Sequence, residues 1–141
     1  MIRCASFVML TVALCGSIAT PQVTVKKKRI ERTSAASGQE MYKHYCAVCH
    51  GTDGKGDGPA APALKKQPTD LTSLAAKNNG QFPILRVQNS IEKGVVSAHG
   101  TSDMPVWGPL FKDIGGTAKT PQGEIQQRVH NLADYIKSLQ K

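Results

Sequence analysis

Near the C-terminus apolar residues recur at Ile125, Val129, Leu132, Ile136 and Leu139. Steps of four, three, four and three put them on one face of a helix, and Thr120-Pro121 supplies its cap and a proline at the first helical position. A second periodic stretch, Pro83 to Lys93, turns Ile84, Val87 and Ile91 inward and stops at Gly94. A third begins at Ser37-Gly38-Gln39-Glu40, the Ser-x-x-Glu form in which the hydroxyl caps a helix start, and carries Met41, Tyr42 and Tyr45 into Cys46. A shorter helix is expected over Asp70 to Lys77. No run alternates as a strand does, so the pattern predicts a small all-α domain. Its helices are joined by long Gly- and Pro-rich connections, which something besides regular structure must order.

The N-terminus follows another logic. Arg3 precedes an apolar stretch from Ala5 to Cys15, and Ser17-Ile18-Ala19 offers small residues for cleavage. This reads as a signal peptide over residues 1–19, too short for a transmembrane span of about 20 apolar residues. A lipoprotein signal acylated at Cys15 is the rival reading, against which Leu14 stands where a small residue is expected. Residues 20–37 lack periodicity and carry Lys26, Lys27, Lys28, Arg29 and Arg32, the composition of a basic flexible tether. The folded domain is then expected over 38–141.

Composition bounds what that domain can be. The chain has 141 residues, too few for a multidomain enzyme, and only 11 Phe, Trp, Tyr and Met side chains. A core so poor in bulky groups folds more securely around an added apolar body. The net charge of +8 is concentrated in the tether, while residues 38–141 hold 12 basic and 9 acidic side chains. No nucleic-acid partner is expected of so even a balance.

The chemistry lies in Cys46-Ala47-Val48-Cys49-His50. Two thiols separated by two residues can add to the two vinyl groups of a haem, and the histidine that follows can bind its iron. Structural zinc would want a second pair, but the other cysteines, Cys4 and Cys15, fall in the signal segment. A dithiol redox site would want strands alternating with helices around it, and none are predicted. One covalent haem c, bound through Cys46 and Cys49 with His50 on iron, is the expected cofactor. Met104 and His99 are the candidates for the opposite face, since Met41 sits on the helix leading into Cys46 and cannot cross over. The loop Gly100–Pro105 gives a methionine little core to pack in, which favours Met104. The glycine-rich stretch Gly51–Gly58 is no calcium loop, because Lys55 and Leu64 occupy positions that need oxygen ligands.

These features resemble the class I cytochromes c. Gly38, Tyr42 and Cys46 stand at four-residue intervals, as do the glycine, aromatic and first cysteine of that family's N-terminal helix, and Leu132 and Tyr135 match the positions where its C-terminal helix crosses. Pro62-Ala63-Leu64 resembles the family's Pro-x-Leu, and Met104-Pro105 its distal ligand motif. The resemblance implies a small cytochrome c fold with N- and C-terminal helices crossing around one haem. It further implies Met104 as second axial ligand, the Pro62 carbonyl as hydrogen-bond acceptor from His50, and haem attachment outside the cytoplasm, hence a periplasmic or otherwise exported protein. Trp107 is expected to pack on the haem or donate to a propionate, or else to serve the core.

With both axial positions filled, iron has no open site for substrate. The expected function is therefore single-electron transfer between redox protein partners, a membrane-bound respiratory complex among them, without substrate chemistry of its own. Lys55, Lys65 and Lys66 are placed to align an acidic partner near the attachment site. The alternative is a haem enzyme subunit or small-ligand sensor with a labile sixth ligand.

Overall fold

The computed structural model describes residues 30–94, 104–114 and 121–141. The elements among them are helices and helical turns, with no strand. The first helix runs without a break from α1 (Gly38–Met41) through a π turn (Tyr42–Cys46) into α2 (Ala47–His50); α3 is Ile84–Lys93, α4 Trp107–Ile114 and α5 Pro121–Ser138. Ser37 caps α1 as expected, its hydroxyl accepting from the Glu40 amide at 3.1 Å. The Ser-x-x-Glu form also lets the glutamate reach back to the capping amide, but here the Ser37 amide bonds the Ser34 carbonyl at 3.3 Å. The expected helix over 70–77 resolves into two 3-10 turns, Leu71–Ser73 and Ala76–Asn78.

Helix α4 is absent from the sequence reading. Trp107, Phe111 and Ile114 are buried at helical spacing, but Gly108-Pro109 reads as a turn. A proline in the first turn of a helix loses no intrahelical bond, which is why the signal misleads here.

α5 organises the molecule, packing against α1, α3 and α4, while α3 also packs on α4. Its predicted stripe is buried at Ile125, Val129, Leu132 and Ile136. The crossing with α1 depends on Gly38, where a Cβ would lie 2.1 Å from the Asn131 carbonyl oxygen and 3.0 Å from the Tyr135 Cβ. One turn on, the Tyr42 and Tyr135 rings meet at 5.2 Å and 51°. A second aromatic group, Tyr45, Trp107 and Phe111, joins the first helix to α4 at centroid distances of 5.2 to 6.0 Å.

The domain begins before residue 38. Residues 31–35 lie against the helices because two buried polar groups need acceptors. The Tyr45 hydroxyl donates to the Glu31 carbonyl at 2.7 Å, and Arg128, in the middle of the apolar side of α5, donates from Nη2 to the Thr33 carbonyl at 3.0 Å. The Asn131 amide reaches the Ala35 carbonyl at 2.8 Å. Residues 31–35, expected within the flexible tether, thus dock on the helices. Residues 1–29, with the signal segment, Cys15 and Lys26 to Arg29, lie outside the described residues. Among those described, no helix is long and apolar enough to cross a membrane.

Candidate functional site

Cys46, Cys49 and His50 occupy the end of the first helix. In the π turn the Ala47 amide bonds the Tyr42 carbonyl, five residues back rather than four. Such a turn inserts one extra residue into the helix, so that residues beyond it take a new face relative to the α5 crossing. Burial and the neighbouring Cys49 push the Cys46 thiol up to about 12.

Gly51, at φ +77, ends the helix. The last carbonyls, which a helix end leaves without partners, are then met by the chain folding back. The Ala60 amide bonds the Val48 carbonyl (2.9 Å), Gly58 that of Cys49 (3.1 Å) and Gly56 that of His50 (2.8 Å). Close approach demands glycine: a Cβ on Gly58 would lie 2.5 Å from the carbonyl oxygens of Ala47 and Val48, and one on Gly56 would lie 2.2 Å from the Pro68 carbonyl oxygen.

His50 Nδ1 bonds the Thr69 carbonyl at 3.0 Å. This corrects the expectation for Pro62, which lies exposed in the 3-10 turn Ala61–Ala63 and is not the partner of His50. The chain returns to the histidine only after several more residues. It is held there by the Leu71 amide on the Gly54 carbonyl (2.7 Å) and by the Gln67 side chain on the Gly56 carbonyl. Nothing in the sequence singles out Thr69, because a backbone acceptor leaves no side-chain signature. Asp70 fixes the next turn, its carboxylate accepting from the Thr72 amide and hydroxyl at 2.9 and 2.7 Å.

Asp70→Ala should cost about 1 kcal/mol at neutral pH, as loss of a helix-type cap does. The Thr72 bonds hold the Asp70 carboxyl below its ordinary value. Its contribution is thus complete above the unfolded value and is lost as pH falls through the lower folded one. Urea melts of both proteins should differ at pH 7 and converge in strong acid.

Met104 is half-buried and packs against the main core. Trp107, at the start of α4, is buried and stacks on Tyr45 at 5.2 Å and 30°, which gives it a core role. His99 and Gly100–Asp103 lie outside the described residues. Met41 is fully buried with its sulfur 3.6 Å from Arg128 Nη1, and so is not available to iron. His44 and His130 sit exposed beside Glu31 and Asp134.

The donor set fits a covalent haem. Burial lowers the His50 imidazole below its ordinary value, so it is neutral at pH 7, as a ligand must be. With Nδ1 committed to Thr69, Nε2 is the nitrogen left for iron, and a hydrogen bond of this kind both fixes the ring and raises its basicity. Neither a curated protein nor a solved structure matches the chain significantly. Residues 33–116 match the family model described as "Cytochrome C oxidase, cbb3-type, subunit III". That match covers more than half of the chain and has the all-helical fold and Cys-x-x-Cys-His site beneath it, so the protein belongs to this family of class I monohaem cytochrome c domains, whose work is haem-based electron transfer.

Proposed function

We propose that Cys46 and Cys49 hold one haem through thioethers, that His50 Nε2 and Met104 take its two axial positions, and that the protein passes single electrons between protein partners. Haem, when bound, supplies a reversible one-electron couple. The chain's own residues do the rest. The glycine loop fixes the helix end that carries His50, and the Thr69 carbonyl fixes the imidazole plane, so the site changes little between the two valence states. The observation that carries the reading is the His50 Nδ1 bond to Thr69, immediately after two thiols, which puts the ring proton on Nδ1 and leaves an unprotonated Nε2 for metal. Methionine as the second ligand favours ferrous iron and raises the potential relative to two histidines.

The family's name suggests respiratory partners. Lys55, Lys65 and Lys66 are exposed, two of them just past the Ala61–Ala63 turn, and would face an acidic surface docked near the attachment site. The apolar N-terminal stretch, read as a signal segment, supports an exchange outside the cytoplasm.

The test begins with haem that survives a denaturing gel, which Cys46→Ala/Cys49→Ala should abolish. Ferric wild-type protein should then be low-spin with a weak far-red methionine-to-iron band. The band should vanish in Met104→Ala and persist in His99→Ala. A low-spin wild-type spectrum that lacks this band would move the ligand to His99, and a high-spin wild-type spectrum would favour a ligand sensor.

A further inference from the structure

We propose that Tyr42 is the positioning residue for His50, its hydroxyl and its carbonyl together holding both ends of the segment that carries the site. The inference rests on the haem reading above. Tyr42 is fully buried. Its carbonyl accepts the Ala47 amide in the wide π turn, at the front of the Cys46–His50 segment. Its hydroxyl donates at 2.8 Å to the Gly51 carbonyl, directly behind that segment. The same carbonyl receives only a longer bond, 3.3 Å, from the Gly54 amide. One side chain therefore bridges the reversal at Gly51 from inside the helix, and the reversal sets where the following loop meets the carbonyls of Val48, Cys49 and His50.

The ring and the hydroxyl do different things. The ring fills the crossing against Tyr135, which phenylalanine would do as well. The hydroxyl serves nothing in that crossing; its bond is spent on the residue next to the proposed ligand. Tyr42→Phe consequently separates packing from positioning. With the bond lost, the Gly51 turn loosens, His50 shifts, and water comes nearer the site. A wetter site favours the more highly charged ferric state.

The experiment compares matured wild-type, Tyr42→Phe and Tyr135→Phe proteins, each first checked for covalent haem on a denaturing gel. Tyr42→Phe should retain haem, show a lower midpoint potential and displace the His50 ring resonances in the NMR spectrum. Tyr135→Phe should leave both unchanged. A lower melting temperature with unchanged potential and His50 resonances would overturn the inference while leaving the haem reading intact. Absence of covalent haem from wild type would overturn both. If Tyr42→Phe does not accumulate, wild-type protein decides: a slowly exchanging Tyr42 hydroxyl proton, close to Gly51 and shifted between ferrous and ferric forms, is expected, and a rapidly exchanging one would overturn the inference.

Discussion

Gly58→Ala should yield almost no folded, haem-bearing protein. Only one methyl group is added, but an alanine Cβ at this position would lie 2.5 Å from the carbonyl oxygens of Ala47 and Val48 and 2.7 Å from the Cys49 carbonyl carbon. All three are backbone atoms of the helix that carries the site, so no rotamer change relieves the overlap. Either the loop withdraws, or the helix end moves. Withdrawal would cost the Gly58 bond to Cys49 and weaken those of Ala60 and Gly56 on either side, at about 0.5–1.5 kcal/mol for each bond lost, while advance of the helix end would disturb the site itself. Against a total stability of about 5–15 kcal/mol, the loss of two or three such bonds is decisive. Far-UV circular dichroism and haem stain of the purified variant check this. A yield, helix content and urea midpoint equal to those of wild type would show that the loop can stand away from the helix without penalty.

The contrast with what the sequence discloses is instructive. The α5 stripe, the Ser37 cap and the crossing at Gly38 were legible because each depends on side-chain type at a fixed spacing. Cys46, Cys49 and His50 were legible because the haem motif is continuous in sequence. Thr69 was not, since its function is carried by a carbonyl that any residue possesses, and only the path of the loop decides which carbonyl reaches His50. The path itself is set by distributed contacts, Gln67 on Gly56 and Leu71 on Gly54, that no local pattern announces. Helix α4 was hidden by Gly108-Pro109, whose turn signal and first-turn helix signal are the same residues. The docked stretch at 31–35 was hidden because its own side chains are mostly polar; the demand for it comes from Tyr45 and Arg128, far along the chain.

That demand leads to the second large effect. Arg128→Met should destabilise the protein by about 3–5 kcal/mol, the usual cost of removing one partner from a buried ion pair. Arg128 is only 3% exposed. Its guanidinium donates twice to the Glu124 carboxylate one helical turn earlier, at 2.9 and 3.1 Å, reaches the Thr33 hydroxyl and carbonyl, and lies 5.9 Å from the centroid of the Phe111 ring. Methionine fills much of the same volume but donates nothing, so the Glu124 carboxylate loses two charge-assisted hydrogen bonds and the Thr33 carbonyl loses its donor. Adding Glu124→Gln should recover part of the loss by removing the charge that Arg128 faced. The recovery stays partial because Thr33 remains unserved. The two effects are separable: urea unfolding of the single and double variants measures the ion pair, while trypsin cleavage after the exposed Arg32 measures whether residues 31–35 still dock. Cleavage should be faster in both variants, since both lack the Arg128 bonds to Thr33. Equal cleavage rates in all three proteins would mean that Tyr45 and Asn131 suffice to hold the segment. The stability change would then belong to α5 alone.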